Sequence, residues 1–568
     1  LGAHVMKTDT GYFSFRPKLL EALAGYDRTR FMTDLLAGIT VGIVALSLCI
    51  GLGIASGVTP AAGLYTGIIG GFIVSALGGS RVQIGGPAGA FVGLVALIGA
   101  KYGLPNLLIC TMLAGAIMFV MGAFRLGSLI RFIPQPVTMG FTCGIAITII
   151  TTQLRALGGL QLEHEPAEFL PKMIALAGAL PTINWYALTL GAVSLAIVGG
   201  WPAKWSKRVP GSIVAVVFGT LLVYFFGLPV ETIGSKFGGI PRGLPTMAFP
   251  DFDWRTLENL VMPAFTIAML GSIESLLSAV VADGLIDDRH DSNQELMAQG
   301  VANFVVPIFG GIPVTGVIAR TATNIRNGAS TPVAGIVHAV FLLLVLLVAA
   351  PLASEVPLVS LAAVLIVVAL RMGEWDEFLW LKRRPKSDGL VFLTTFVLTV
   401  CFDLTKAVSI GMILAAGLFV KRVADTTEVQ AMAREGEGAP HQQIKGLPPG
   451  AVVYRVFGAL LFGAADKLET VLRRAGGETR VIILHLAAVT ALDATALDRL
   501  EDLHAKLRRH GRHLILSGPH TQPYFTMERA GFLDEVGREN VVADLEAAVV
   551  RANALIPPKK SGTRPPLA

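Results

Sequence analysis

Charge is scarce in this chain. Of its 568 residues, 15% are Asp, Glu, Lys or Arg, against about 25% in an ordinary soluble domain. Most of the chain is therefore not a water-facing globule. Cysteine is scarce as well. Cys49, Cys110, Cys143 and Cys401 all fall in apolar stretches at no metal-ligand spacing, where a free thiol behaves as a small hydrophobe. A disulfide scaffold and a metal centre are not expected. No Gly-x-x-x-x-Gly-Lys-Ser/Thr loop occurs, which removes the support for ATP-driven pumping. No nucleophile–base pair stands out either, so neither an enzyme nor a cofactor is expected. The net charge of +6 sits mainly in loops, where it sets topology, and does not point to nucleic acid. The first 30 residues are polar, with Lys7, Arg16, Lys18, Arg28 and Arg30. They do not resemble a cleavable signal peptide, and Met6 reads as the native start, with Leu1–Val5 a remnant ahead of it.

Hydrophobic runs are abundant. The chain is 53% hydrophobic with mean hydropathy +0.65, and runs of about 20 apolar residues, enough to cross a bilayer, recur from Asp34 to Val423. We read fourteen segments: 33–56, 61–78, 87–101, 106–125, 136–157, 184–200, 210–227, 258–282, 293–309, 318–328, 332–351, 356–372, 388–403 and 406–423. Seven precede the polar stretch Glu231–Arg255 and seven follow it, and the third of each half is too short to span alone. An odd number per half gives the halves opposite orientations, the inverted-repeat pattern of transporters. With the N-terminus inside, the inner loops hold Arg81, Arg125, Arg131, Lys204, Lys207, Arg208, Arg289, Lys382, Arg383, Arg384, Lys386, Lys421 and Arg422. Glu163, Glu165, Glu168, Glu231, Asp251 and Asp253 fall on the other side. This bias follows the positive-inside rule and places both termini in the cytoplasm.

The two short segments are entered through Gly85-Gly86-Pro87-Ala88-Gly89-Ala90 and Gly310-Gly311-Ile312-Pro313-Val314-Thr315-Gly316-Val317-Ile318-Ala319-Arg320. Each reads as an extended piece followed by a half-length helix of small residues. Non-helical backbone at membrane depth survives only where it lines a cavity or is buried in protein. A helix N-terminus offers unpaired N–H groups and partial positive charge, so two facing half-helices make an anion site without a side-chain charge. The candidate substrate ligands are the backbone N–H groups of Ala88, Gly89, Ala90, Ile318 and Ala319. The plainer alternative is that the small residues only allow close helix packing.

Arg320 is a membrane-embedded cation, costly and usually functional. It either meets the anion, sets the local potential, snorkels, or pairs with Glu274. Glu274, mid-segment among Leu270, Ile273, Leu276 and Leu277, is the candidate coupling residue, with a permanently paired structural carboxylate as the alternative. Asp283, Asp287 and Asp288 read as a solvated helix end, His338 as a core or lipid-facing residue, and Asp403 as interfacial.

Composition changes near Asp425. The expected layout is a cytoplasmic N-terminal segment 1–32, a transport domain 33–424, a linker 425–448, an α/β domain 449–555 and a disordered tail 556–568. Short β-like runs (Val452–Phe457, Val481–His485, His513–Leu516) alternate with amphipathic stretches (Asp466–Arg474, Ala494–Arg509, Gln522–Ala530, Val542–Ala552).

Pro60-Ala61-Ala62-Gly63-Leu64-Tyr65, Leu77-Gly78-Gly79-Ser80-Arg81, Gly86-Pro87, Asp291-Ser292-Asn293-Gln294-Glu295-Leu296 and Gly316-x-x-x-Arg320-Thr321-x-x-Asn324 resemble the signatures of the SulP family of anion transporters, solute carrier family 26. The resemblance covers nearly the whole chain, and the C-terminal domain looks like a STAS domain. It implies an α-helical polytopic membrane protein with a seven-plus-seven inverted repeat of core and gate domains. It also implies a homodimer in a bacterial inner membrane, and substrate held between the third and tenth helices. Gly271-Ser272-Ile273-Glu274-Ser275-Leu276-Leu277 and the surroundings of Arg320 look most like bacterial C4-dicarboxylate transporters.

Two departures stand out. Ser47-Leu48 replaces a Pro-Gln pair common in the family, and Asp493-Ala494 replaces the Asp-Ser phosphorylation pair of some STAS relatives, leaving Thr495 the nearest hydroxyl. The expected function is secondary active uptake of a small anion, a dicarboxylate such as fumarate or succinate, coupled to protons. The alternatives are sulfate or bicarbonate transport coupled to protons or sodium, a nucleobase–proton symporter, a channel, and an anion sensor signalling through STAS.

Overall fold

A computed structural model describes residues 15–128, 134–162, 166, 168–202, 210–240, 243, 247–250, 254–383, 385–402, 404–434, 443–461 and 479–556. Leu1–Val5, Arg131, Glu163, Glu165, Lys204, Lys207, Arg208, Asp251, Asp253, Arg384, Asp403, the expected helix 466–474 and the tail from Pro557 lie outside the described residues. The chain divides into two units, Leu1–Ile413 and Leu414–Ala568.

Every one of the fourteen segments folds as a helix. In chain order the first unit contains α1 (Arg28–Ala55), α2 (Pro60–Leu77), strand β1 (Gly85–Gly86), α3 (Gly89–Tyr102), α4 (Leu104–Ala123) and α5 (Gln135–Gly158). Then follow α6 (Phe169–Gly178), α7 (Trp185–Gly200), α8 (Gly211–Phe226), α9 (Trp254–Ile286) and α10 (Ser292–Val305). Strand β2 (Thr315–Gly316), α11 (Ile318–Arg326), α12 (Val333–Ser354), α13 (Leu358–Met372), α14 (Lys386–Cys401) and α15 (Leu404–Thr426) complete the run, the last crossing into the second unit. Seven helices among the described residues are long and apolar enough to cross a membrane. Large apolar side chains such as Val261, Val348 and Leu352 stay exposed on them, as a lipid-facing surface requires.

Local chemistry sets the helix starts. Asp27 accepts a hydrogen bond from Arg30 N at 2.8 Å, and Thr59 accepts one from Ala62 N at 3.3 Å ahead of Pro60, so each satisfies an N–H that the helix leaves free. The polar stretch before α7 was expected to be a loop, yet it carries the ten-residue α6.

The helices pack in matched pairs. α1 meets α12 as α9 meets α4, α2 meets α12 as α10 meets α4, and α5 meets α14 as α13 meets α7. The α4–α10 contact depends on glycine: a Cβ on Gly115 would stand 2.5 Å from Phe304 N, and one on Gly300 would stand 2.5 Å from Phe119 N. Backbones this close are what small residues permit in membranes.

The second unit holds a six-stranded sheet of order β4-β3-β5-β6-β7-β8. Its strands are β3 (Glu428–Arg434), β4 (Gln443–Ile444), β5 (Ala451–Leu460), β6 (Val481–Leu492), β7 (His513–Ser517) and β8 (Val541–Val542). Here the linker expectation needs correction. Residues Glu428–Met432 pair antiparallel with β5 and Ala433–Arg434 pair parallel with β4, because the edge of the sheet offers them hydrogen bonds that a free linker would take from water. Strands β5 to β8 are parallel, which requires crossovers. These are supplied by α16 (Ala494–Arg509) after β6, and by α17 (Thr521–Arg529) and α18 (Phe532–Val536) after β7. A last helix, α19 (Leu545–Leu555), closes the unit. Asp493 caps α16 through Ala496 N at 2.8 Å, and Leu497, Leu500, Leu503 and Leu507 bury one helix face.

Burial first, and then Arg455, lower the pKa of the half-buried His485 imidazole, which sits 3.2 Å from Ser517 Oγ. The folded state thus resists a proton that the unfolded chain accepts near the ordinary value of about 6.5. Stability is full above that pH and falls as pH drops below it. The expected result is a lower unfolding midpoint for this unit at pH 5.5 than at pH 7.5, by calorimetry of the full chain. The drop should be smaller in His485→Gln.

Candidate functional site

Two residues from each half form the centre of the first unit. Gly85 pairs with Gly316 and Gly86 with Thr315 in an antiparallel ladder. Helix α3 leaves this ladder through Pro87 and Ala88, and α11 leaves it through Val317. Antiparallel pairing sends the two helices off in opposite directions, with both N-termini beside the ladder. Ala88 is extended (φ −121°, ψ 149°) and opens a tight turn over Gly89–Phe91, while Val317 (φ −111°, ψ 113°) opens α11.

A polar frame holds the ladder. Val317 N donates to Ile84 O at 2.9 Å and Ile84 N donates to Thr321 Oγ1 at 3.1 Å. Asn303 closes a pair of bonds on Val314, accepting from its N at 2.9 Å and donating to its O at 2.8 Å. Thr315 Oγ1 donates to Gly271 O at 2.9 Å, and Gln83 Nε2 reaches Ser275 Oγ at 2.9 Å, so both arms are anchored on α9. Buried Glu295 accepts from Gly79 N at 2.8 Å, Ser80 N at 3.2 Å and Gln299 Nε2 at 3.0 Å. Helix α2 carries a π turn at Thr66–Gly70, a distortion often met at functional sites. From that turn Thr66 Oγ1 accepts from Ile312 N at 2.8 Å.

The sequence-predicted residues occupy distinct places. Ala88 and Ala90 are buried and Gly89 is half-buried. Gly89 and Ala90 line a cavity of about 80 Å³ together with Thr148, Thr151 and Lys172. Ile318 and Ala319 are exposed at the start of α11. The first N–H groups of both helices have no carbonyl one turn back to pair with. The ladder thus brings the two sets of N–H groups to one locality.

Arg320 is 1% exposed. It crosses from α11 to the other arm, where Nη2 donates to Pro87 O at 3.1 Å, while its Nε and Nη1 are buried without a hydrogen bond. A Cβ on Gly86 would collide with Nη1, so that glycine makes room for the guanidinium. Glu274 lies on α9 between the anchor points Gly271 and Ser275. Its Oε2 is shielded and accepts no hydrogen bond. Among the described residues no carboxylate is ion-paired with Arg320, so the paired arrangement is not the one adopted, and snorkelling is excluded by burial.

Other expectations are corrected. Asp283 accepts from His290 N at 3.0 Å and pairs with its ring Nδ1 at 2.7 Å, and Asp288 pairs with Arg81 at 3.0 Å. This helix end is therefore tied to neighbouring loops rather than simply solvated. His338, by contrast, is in the core as one of its two readings had it, fully buried beside Gly71.

Sequence reasoning missed Asp34, Glu295 and Lys172, all buried. Asp34 accepts from Ser330 N at 2.8 Å and from Tyr26 Oη at 3.0 Å. For Glu295 a signal existed: Glu295, Gln299 and Asn303 recur every four residues and form one polar stripe on α10.

Among the described residues no cluster of His, Cys, Asp and Glu is suited to a metal ion. What converges instead is positive potential, from two helix N-termini and a buried guanidinium.

The sulfate permease family model matches residues 31–395, and a STAS domain model matches residues 444–548. The putative sulfate transporter YvdB of Bacillus subtilis is 41% identical over 91% of this chain and 97% of its own length. The bicarbonate transporter BicA of a Picosynechococcus species is 28% identical over 91% of this chain and 94% of its own. Among solved structures, the murine solute carrier 26 member A9 anion transporter, in an inward-facing state, superposes with a TM-score of 0.85 at 18% identity, over 95% of this chain and 94% of that one. The transmembrane domain of a cyanobacterial BicA superposes with a TM-score of 0.61 at 28% identity, covering 69% of this chain and 99% of the other. With a multi-pass helical domain built around a crossed pair of half-helices and a C-terminal STAS domain, the chain belongs to the sulfate permease family.

Proposed function

We propose that the protein is a secondary active transporter of a small oxyanion, sulfate or bicarbonate, that binds between the N-termini of α3 and α11. The observation that carries this reading is the Gly85–Gly316 ladder, which sets both helix starts and the Arg320 guanidinium about one locality. Unpaired N–H groups of Ala88, Gly89, Ala90, Ile318 and Ala319 would bind the anion, as helix N-termini bind phosphate and sulfate. Backbone amides read charge and oxygen geometry and place no demand on a carbon skeleton. The relatives named for sulfate and bicarbonate span nearly the full chain, which favours these anions over the dicarboxylates first expected.

The matched helix pairs support a seven-plus-seven inverted repeat, with α1 to α4 and α9 to α12 as core and the remaining helices as gate. Alternating access would rock one group against the other. We place the protein as a homodimer in a bacterial inner membrane, with both termini in the cytoplasm.

Radiolabelled uptake into proteoliposomes tests the reading. Sulfate, bicarbonate, succinate and fumarate are compared at pH 5.5 and 7.5, with and without sodium. Saturable uptake of sulfate or bicarbonate, with counterflow, is expected. Non-saturating flux would indicate a channel, and dicarboxylate uptake alone would restore the earlier expectation.

Glu274, whose Oε2 is shielded and accepts no hydrogen bond, is our candidate for the coupling proton. Glu274→Gln is expected to abolish acid-stimulated net uptake while sparing substrate-for-substrate exchange. A variant that keeps the full pH dependence would place coupling elsewhere.

A further inference from the structure

The connection between α9 and α10, Asp287–Asp291, is held at both ends by one imidazole. On the α9 side Asp283 accepts from His290 N at 3.0 Å and meets its ring Nδ1 at 2.7 Å. On the α10 side the other ring nitrogen, Nε2, meets Ser292 Oγ at 2.9 Å. The His290 side chain is 5% exposed, so a carboxylate and a hydroxyl, rather than water, engage its two nitrogens. The loop it closes is strained. Asp287 has φ 51°, a left-handed conformation that a residue with a Cβ adopts at a cost.

This connection grips the approach to the first arm of the ladder. Asp288 ion-pairs with Arg81 at 3.0 Å, without hydrogen-bond alignment. Asp291 N donates to Gly79 O at 3.0 Å, and a Cβ on Gly79 would collide with Asp291 O. Glu295, which accepts from Gly79 N and Ser80 N, also feels a charge on His290. The ladder begins at Gly85, four residues beyond Arg81. The other charged groups on the elements meeting here are Arg289 on the connection, Arg125 after α4 and Arg326 at the end of α11. Arg16 and Lys18 join them through backbone N–H groups that reach Gln294 and Gly78.

We propose that His290 is a positioning residue whose protonation sets how firmly this connection holds the first arm, and so how tightly the N-terminus of α3 holds the anion. Histidine is the side chain whose charge ordinarily changes near neutral pH. With the proton on, the contact with Asp283 joins two full charges, the strongest kind of hydrogen bond the pair can make. The strained connection stays closed, Asp288 keeps Arg81, and Gly79–Arg81 are held. With the proton off, one charge is left, a weaker bond opposes the strain at Asp287, and the arm loosens. On the side placed in the cytoplasm, acid then slows release of the anion, so proton-coupled uptake limits its own rate. That consequence rests on the anion-transport reading above, whereas the clamp on the arm does not.

Two measurements on the full-length protein test this. The first is amide hydrogen exchange of the segment Gly78–Ile84 at pH 6 and pH 8, corrected for the pH dependence of chemical exchange. Wild type is expected to protect this segment at least threefold more at pH 6. His290→Gln is expected to show equal protection at both pH values, and so is Asp283→Asn, which keeps a partner of the same shape without its charge. A merely structural histidine would lower protection equally at both pH values and leave the dependence in place. Equal protection in wild type, or a dependence retained by either variant, would overturn the proposal.

The second is equilibrium binding of radiolabelled sulfate, an anion that takes up no proton in this range, measured in a Glu274→Gln background so that the coupling carboxyl does not contribute. Binding is expected to be at least threefold tighter at pH 6 than at pH 8, and adding His290→Gln is expected to remove the difference. A difference that survives His290→Gln would overturn the link from His290 to the anion. The readings separate, because failure of the wild-type protein to bind or transport any tested anion removes the transport reading, while hydrogen exchange decides on the clamp with no anion present.

Discussion

Gly89→Leu is expected to abolish anion uptake, by a hundredfold or more, while the protein elutes as wild type in size-exclusion chromatography. Gly89 is the first residue of the tight turn that opens α3, and it lines the cavity at that terminus. Even a Cβ there would stand 2.7 Å from Ile149 Cδ1 and 3.8 Å from Met372 Cε. A leucine must therefore turn into the cavity, covering the N–H groups proposed to bind the anion. The nearest obstacle is the end of a flexible side chain, so the helices around it need not part. Uptake within threefold of wild type would remove Gly89 from the site.

Arg320→Ala is expected to weaken anion affinity ten- to hundredfold in equilibrium binding. The guanidinium supplies a full positive charge beside two partial ones, and Nη2 also fixes the Pro87 carbonyl that precedes α3. A hydrogen bond to a charged group contributes about 1.5–3 kcal/mol net, and about 1.4 kcal/mol is a factor of ten in affinity. Arg320→Lys should recover part of the loss, since charge is kept and the planar fork is not. The double variant Arg320→Ala, Glu274→Gln separates two roles. If Arg320 acts on the anion and on Pro87, the double variant binds as weakly as Arg320→Ala. Recovery would show that Arg320 serves to offset the Glu274 charge on the neighbouring helix.

The fourteen segments were legible because the bilayer imposes them. A helix that must satisfy its backbone in hydrocarbon needs a long apolar run, and few other demands leave so plain a trace. The half-helices were legible for the opposite reason, since Gly85-Gly86-Pro87 and Gly310-Gly311-Ile312-Pro313 interrupt such a run. The contacts between the arms were not legible. Nothing in the spacing of Gln83 announces that it reaches Ser275, or that Arg320 turns toward Pro87 rather than Glu274. Those choices depend on which helix faces which, and they are settled by packing between residues some two hundred positions apart. Helix α6 was masked by the acidic residues ahead of it, although Leu170, Met173 and Leu176 keep helical spacing. Strand β3 was read as linker because few of its residues pack inward, with Val429 and Met432 the ones that do.

The ladder at the centre also dates the site. Its partners, Gly85 and Gly316, leave the ribosome 231 residues apart (316 − 85), on the order of ten to fifty seconds at about 5–20 residues per second. During that interval the first arm has no second arm to accept its hydrogen bonds, and bare backbone is poorly tolerated in lipid. The nascent first half must therefore keep Gly85–Gly86 in water, in the insertion machinery or against provisional neighbours. The place where the anion is proposed to bind cannot exist until the second arm has been made, so chains stalled or cut between the halves would insert helices without ever forming it.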